Sequence, residues 1–168
     1  MGDMVGTESS IMIINRFVGK YRFLSNFYLC PIKVQEDVPE QGIVNVVYPS
    51  VEHAYQAAKS FESWYKRGLR ETDSPVDAKR MGKGIRLRPD WDSVKVNIML
   101  ELLHKKFSQP DLRAMLLSTG DAELIEGNDR GDKEWGVYGG DGENLLGKLL
   151  MRVRDNIWLE ESVLSREY

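Results

Sequence analysis

Cysteine and histidine are too scarce in this sequence to build the usual disulfide or metal sites. The 168 residues include one cysteine, Cys30, and two histidines, His53 and His104. A single cysteine excludes an internal disulfide and any zinc site built from several cysteines, and two histidines so far apart do not indicate a metal cluster. We expect neither a catalytic metal nor a cofactor. Because no activating base accompanies Cys30, it is interpreted as a buried or incidental thiol.

Long apolar runs and an excess of positive charge are also absent. No stretch is apolar enough to span a bilayer, and no basic segment followed by an apolar one opens the chain. The formal net charge of −3 argues against a general nucleic-acid-binding protein, which needs Lys and Arg to displace counterions from phosphates. We expect a soluble, cytoplasmic protein that does not contact membranes. No feature indicates an obligate partner, and the oligomeric state is left open.

The length and the 42% of hydrophobic residues suffice for one globular domain with its own core. Residues 1–10 are polar and unpatterned, so we expect a frayed or tag-like end there and place the domain at residues 11–168.

Local signals predict a small sheet followed by helices. The β-branched runs at residues 11–17 and 43–48 predict two strands or a hairpin, with residues 31–42 as a connecting loop. Ser74 and Pro75 predict a helix start, with Gly82 or Gly84 as its end. Further helices are expected from about residue 92 to 108, from Pro110 onward, and from residue 145 to 158, with a short strand at residues 122–126.

Residues 48–59 predict a helix with two distinct faces. At helical spacing, one face carries an apolar seam of Val51, Ala54, Ala58 and Phe61. The neighbouring face carries a polar stripe of Glu52, Tyr55, Gln56 and Lys59. The stripe has two interpretations. It is either a solvated surface, or a site in which Glu52 and Lys59 reach toward a small ligand between them.

Two further segments carry polar or aromatic groups that suit a ligand. Residues 127–142 contain six glycines together with Trp135, Tyr138 and several acids, and a loop this long in a compact domain is typically functional or disordered. Disorder would leave the two aromatic rings in water, so we favour a loop that stacks on a planar base beside an acid. A basic patch fits either a phosphorylated ligand or a solvated surface. It consists of Lys79, Arg80, Lys83, Arg86 and Arg88.

The order of several short motifs resembles the NADAR family, also called YbiA-like. The resemblance runs from about Phe17 to Arg154. Its main motifs are residues 23–27 (FLSNF), 48–59 (YPSVEHAYQAAK), 116–120 (LLSTG), 125–126 (IE), Asp132 with 135–136 (WG), and 144–151 (NLLGKLLM). One departure is Lys83, where many members have Arg. A phosphate contact would survive that change, but bidentate geometry would not.

The resemblance implies an α+β fold, a mostly helical single domain with a small sheet. It also implies an N-glycosidase that cleaves the bond between a ribose and an amine or base nitrogen. The implied substrates are phosphorylated early intermediates of riboflavin biosynthesis or ADP-ribose attached to guanine, including guanine in nucleic acid. The alternative is a non-catalytic module that binds NAD-derived or ADP-ribosyl ligands.

The resemblance also implies roles for individual residues. Glu52 acts as an acid/base or stabilises a cationic sugar, Asp132 is a second acid/base, and Lys59 is a nucleophile that forms a Schiff base with a ring-opened sugar. Substrate-binding roles are expected by residue type. Trp135 would stack on the base, Asn26, Gln56 and Asn144 would hold sugar hydroxyls, Arg22, Lys83 and Arg86 would face phosphate, and Trp91 would form a ligand wall or belong to the core. Asn26 and Asn144 equally suit turn caps.

Overall fold

The computed structural model describes residues 10–168. Residues 1–9 of the expected N-terminal end lie outside the described part, and Ser10 is exposed without regular secondary structure. The strands are β1 (Ile13–Ile14), β2 (Ile32–Val38), β3 (Gly42–Tyr48) and β4 (Glu123–Leu124). The helices are α1 (Val51–Ala57), α2 (Ser63–Glu71), α3 (Pro75–Gly82), α4 (Trp91–Phe107), α5 (Pro110–Leu117) and α6 (Leu145–Leu164), with a 3-10 helix at Gly19–Leu24.

These elements form a mostly helical α+β fold with two small sheets, as expected. β2 and β3 form an antiparallel hairpin in which Ile32 faces Tyr48, while β1 pairs in parallel with β4. None of the helices in residues 10–168 is long and apolar enough to cross a membrane.

The prediction of a connecting loop at residues 31–42 is wrong, because most of this segment forms strand β2. β3 was predicted, but its partner is β2 rather than the strand at residues 11–17. Residues of β2 alternate between half-buried and exposed, and Glu36 lies on the inner side. There its carboxylate accepts hydrogen bonds from Arg70 and from the Tyr48 hydroxyl. An inward charge hides the apolar alternation that identifies a strand.

The helix boundaries follow local capping chemistry. The Ser74 side chain accepts a hydrogen bond from the Asp77 backbone N–H, and Pro75 occupies the first turn of α3, as predicted. The helices at α4, α5 and α6 and the short strand β4 are likewise confirmed, although α6 extends six residues beyond the expected end.

Helix α1 lies at the centre of the molecule, where it packs against α2, α3 and α4. Every residue of α1 is buried. The predicted apolar seam is confirmed for Val51 and Ala54, which are buried, but the prediction that Phe61 belongs to it is wrong. The helix ends at Ala57, and Phe61 is 66% exposed beneath the guanidinium of Arg88.

Candidate active site

A cavity of about 260 Å³ lies against the polar face of α1. Its walls come from α1, the chain after the 3-10 helix, α3, the first half of α4 and the loop that precedes α6. Charged and aromatic side chains from segments far apart in sequence therefore meet at one place.

The start of α1 is fixed by buried hydrogen bonds around His53. Ser50 caps the helix by accepting from the His53 backbone N–H at 3.2 Å. Nε2 of the His53 ring lies 2.8 Å from the carbonyl oxygen of Thr72, so Nε2 carries the proton and Nδ1 accepts from the Ser50 hydroxyl at 2.7 Å. The Glu52 backbone N–H also donates to the Asn26 carbonyl oxygen at 3.1 Å. These bonds give Glu52 a rigid backbone position.

Glu52 is only 7% exposed, although it borders the cavity. Burial raises the pKa of Glu52, because the charged form loses water. A hydrogen bond from Gln56 and the charges of Lys79, Lys59 and Arg130 act in the opposite direction and lower that pKa. This carboxyl is thus able to exchange protons closer to neutral pH than an exposed glutamate.

Lys59 lies just beyond the end of α1, and its backbone N–H still bonds the Gln56 carbonyl oxygen at 3.2 Å. The turn therefore continues the polar stripe by one more position. Nζ of Lys59 lies 5.8 Å from the centroid of the Tyr55 ring. Burial lowers the pKa of Lys59, with the Glu52 charge opposing the shift. A lowered lysine pKa increases the fraction of neutral, nucleophilic amine.

Three aromatic rings form one wall of the cavity. Tyr55 contacts Trp91 with ring centroids 5.1 Å apart, and it contacts Trp135 edge to face at 5.5 Å. Trp91 is buried and also lines the cavity, so the core and ligand-wall interpretations are compatible. Such a wall suits a planar heterocycle.

The loop before α6 is held in place by side-chain bonds to its own backbone. Oδ1 of Asp132 accepts from the backbone N–H groups of Glu134 and Trp135, and Oδ1 of Asn128 accepts from those of Arg130 and Asp132. Asp132 therefore orders the turn that presents Trp135, in addition to bordering the cavity.

Seven of the eleven expected site residues border this cavity. They are Glu52, Lys59, Asp132, Asn26, Gln56, Trp91 and Trp135. The other four do not. Arg22 borders a neighbouring hollow, where its guanidinium lies 5.8 Å from the Tyr28 ring, and Lys83 and Arg86 are exposed away from the cavity lining.

Asn144 is likewise outside the cavity lining. Its side chain donates to the Leu124 carbonyl oxygen at 2.9 Å and accepts from the Glu126 backbone N–H at 3.0 Å. It has a positive φ of 52° at the residue before α6, where its side chain makes no capping hydrogen bond to the helix. Its two bonds join the start of α6 to β4 and to the residue that follows Ile125, so they do not cap a local turn.

Several cavity residues were not among the expected site residues. They are Ser25, Phe27, Tyr55, Lys79, Lys95, Met99, Glu126, Arg130, Glu134 and Leu146. Two of them had a signal in the sequence, since Tyr55 belongs to the polar stripe and Lys79 to the basic patch. Glu126 is only 8% exposed, its pKa is raised by burial, and its carboxylate accepts from Arg130 at 3.3 Å. Lys95 pairs with Glu134, which raises the pKa of Lys95.

Comparisons with known proteins agree with this architecture. Residues 15–158 match the NADAR domain. The chain is 39% identical over 145 residues to the N-glycosidase YbiA of Escherichia coli strain K12, covering 84% of both chains. It is 34% identical over 139 residues to a riboflavin biosynthesis protein of Vibrio vulnificus, covering 80% of this chain and 35% of that protein.

The fold is also similar to a solved structure. The NMR structure of the E. coli protein YbiA aligns with a TM-score of 0.73 and 38% identity, over 89% of this chain and 87% of that one. Because the NADAR match spans most of the chain and a relative of similar length is 39% identical, the chain belongs to the NADAR family.

Proposed function

We propose that this chain, a hydrolase of N-glycosyl bonds, cleaves the C1′–N bond of a phosphorylated ribosyl amine and does so through a Schiff base on Lys59. One observation carries the proposal. A buried carboxyl with a raised pKa and a half-buried lysine with a lowered pKa border the same cavity. Relative to exposed groups, the carboxyl is more protonated and the amine more neutral at a given pH, so the cavity places a proton donor beside a nucleophile.

The reaction begins with protonation of the ring oxygen by Glu52, which opens the sugar and leaves C1′ as an iminium to the substrate nitrogen. The neutral Lys59 amine adds to C1′, and protonation of the original nitrogen releases it as the free amine or base. C1′ is then doubly bonded to Nζ of Lys59. Water adds to this Schiff base, and the C1′–Nζ bond breaks to return Lys59 and release the sugar aldehyde. One water is consumed for each bond cleaved.

The other walls serve binding and proton transfer. Asp132 acts as a second acid/base that takes a proton from water. Trp135 stacks on the base, and the side-chain amides of Asn26 and Gln56 form hydrogen bonds with the sugar hydroxyls. Asn26 and Gln56 are both buried on the cavity wall, which suits groups that orient a ligand.

The cavity size favours the smaller of the two expected substrate classes. Ligand pockets usually have volumes of about 300–1,000 Å³, and this cavity of about 260 Å³ is slightly smaller. It suits a molecule the size of a mononucleotide. A phosphorylated ribosylaminopyrimidine has this size, and the similarity to a riboflavin biosynthesis protein supports the same class. ADP-ribosyl guanine is the larger candidate.

Release of free base tests the proposal. The chain is incubated separately with a ribosylaminopyrimidine 5′-phosphate and with ADP-ribosylated guanine, and the products are separated by chromatography. We expect release of the aminopyrimidine, with Lys59→Met and Glu52→Gln each lowering the rate by at least about 100-fold. Binding of both compounds without release of either base would contradict the enzyme assignment and leave the binding module. Release of guanine alone would contradict the proposed substrate.

A further inference from the structure

Four cationic side chains border the cavity, and they differ in how far other groups already use them. They are Lys59, Lys79, Lys95 and Arg130. Lys95 pairs with Glu134 and lies 3.8 Å from Asp92, so its charge is balanced locally. Lys59 is assigned to the chemistry. Lys79 therefore remains for an anionic part of the ligand, together with the guanidinium N–H groups of Arg130 that its ion pair with Glu126 does not use.

Lys79 projects from α3 and is half-buried on the cavity wall. Within residues 10–168 its ammonium has neither an ion-pair partner within 4 Å nor a hydrogen-bond acceptor. Its Nζ lies 6.0 Å from the centroid of the Phe27 ring. The N–H donors of this ammonium are therefore left for an acceptor in the cavity, and its positive charge favours an anionic one.

Arg130 approaches the same ring from the loop before α6. Its Cζ lies 5.9 Å from the Phe27 centroid, and one guanidinium nitrogen donates to Oε1 of Glu126 at 3.3 Å. A guanidinium has five N–H donors, so most remain for a second acceptor. Arg130 also borders an adjoining hollow lined by Arg16 and Asp129, so it lies between the two.

Glu126 is a rigid anchor for this arginine. Its backbone N–H donates to Oδ1 of Asn144, and its carbonyl oxygen accepts from the Val137 backbone N–H at 2.8 Å. Both backbone groups of Glu126 are therefore held, and burial restricts its side chain further. An arginine oriented in advance loses less side-chain freedom when it binds an anion.

We infer that Lys79 and Arg130 form a phosphate subsite for the 5′-phosphate of the ribosyl substrate, with the Phe27 ring near both and Glu126 as the positioning residue of Arg130. The inference rests on the proposed function, whose substrate carries a phosphate monoester. In this arrangement Lys79 and Arg130 bind the phosphate, instead of Arg22, Lys83 and Arg86, which sequence alone assigned to it. A planar guanidinium can bind two phosphate oxygens, and the ammonium adds a point charge.

The test measures binding, so it does not depend on turnover. The probes are D-ribose 5-phosphate and D-ribose, titrated into the full chain while amide chemical shifts are followed, a measurement that reads millimolar affinities. Charge-assisted hydrogen bonds predict that the wild type binds the phosphate ester at least about tenfold more tightly than the sugar. Lys79→Met and Arg130→Met should each remove most of that preference and leave the affinity for D-ribose within about twofold.

Lys133→Met is the matched control, because Lys133 lies in the same loop, outside the cavity lining, and pairs with Asp141. It loses the same charge and should keep the wild-type preference. Glu126→Gln should weaken binding of the ester severalfold. Adding Glu126→Gln to Arg130→Met should cause no further loss, because Glu126 acts through Arg130, whereas a merely structural role of Glu126 would make the two losses add.

The outcomes separate the inference from the proposed function. If the wild type does not distinguish D-ribose 5-phosphate from D-ribose, the subsite is wrong whatever the variants do. A preference that survives in both Lys79→Met and Arg130→Met overturns it as well. If the preference behaves as expected but no base is released in the turnover assay, the subsite stands and the proposed reaction fails.

Discussion

The side-chain amide of Gln56 donates a 2.8 Å hydrogen bond to Oε1 of Glu52, one helical turn earlier in α1. The other amide atom of Gln56 lies against Gly82 at the end of α3. A Cβ built on Gly82 would lie 1.8 Å from Oε1 and 2.7 Å from Cδ of Gln56. The carboxyl proposed as acid is thus oriented by a side chain whose position requires glycine on the neighbouring helix.

Gly82→Ala should therefore disturb the site through Gln56. The new methyl group forces the amide away from Gly82 and breaks its bond to Glu52, so we expect a loss of stability of about 1–3 kcal/mol and a fall in kcat of at least about tenfold. Steady-state kinetics and thermal unfolding measure the two effects. Gly84→Ala is the control, because a Cβ at Gly84 meets nothing within 4 Å. Equal behaviour of the two variants would contradict this orientation of Glu52.

Glu52→Gln should stabilise the protein at neutral pH while lowering its activity. The folded pKa of Glu52 is raised above the ordinary value of 4.5, so the stability this group contributes is present below pH 4.5 and is lost as pH rises through the folded pKa. Glutamine avoids that loss and still accepts from Gln56. At pH 7 we expect the variant to have a higher Tm than the wild type, by about 2–4 °C for each kcal/mol gained in the free energy of unfolding. At pH 4 the two proteins should have the same Tm. Thermal unfolding of the wild type and of Glu52→Gln measures the difference. Glu123→Gln is the control, because it changes an exposed acid. A lower Tm for Glu52→Gln at pH 7 would show that its ionised form is stabilising.

The pH profile of kcat/KM should contain a rising limb that belongs to Lys59. The amine must be neutral to attack C1′, and burial lowers its pKa from the ordinary 10.5, so activity should rise with pH and level off below pH 10.5. Initial rates between pH 5 and 10 measure the limb, and Lys59→Arg should lack activity at every pH because its guanidinium stays charged. A profile that only falls across this range would contradict a neutral-lysine nucleophile.

Trp135→Leu should weaken substrate binding more than it slows the chemical step. Stacking of a base on an aromatic ring contributes about 1–3 kcal/mol, so we expect KM to rise roughly 5- to 150-fold with a smaller change in kcat. Trp64→Leu removes an equally large ring that is 68% exposed and outside the cavity, and it should leave KM within about twofold. An unchanged KM in Trp135→Leu would remove this residue from the base-binding wall.

Sequence could predict the features that depend on near neighbours in the chain. The start of α3 follows from a serine, a proline and an aspartate within four residues, and the stripe on α1 follows from helical spacing. Both depend on local geometry, so no knowledge of the rest of the fold was needed.

Tertiary pairing accounts for what sequence alone did not reveal. Strand β2 was missed because Glu36 lies on its inner side, where Arg70, 34 residues away, satisfies it. Lys79 and Lys83 are four residues apart, yet only Lys79 borders the cavity, whereas Lys83 at the end of α3 is exposed. Residue type alone could not choose between these lysines.

Borohydride trapping tests the central claim that Lys59 forms a covalent bond to C1′. The chain is mixed with a ribosylaminopyrimidine 5′-phosphate and sodium borohydride, and the protein mass is measured before and after digestion. We expect one added sugar phosphate, attached to the peptide that contains Lys59 and absent from Lys59→Arg. An enzyme that releases base at full rate but gives no adduct on Lys59 would contradict the Schiff base and leave direct attack of water on C1′.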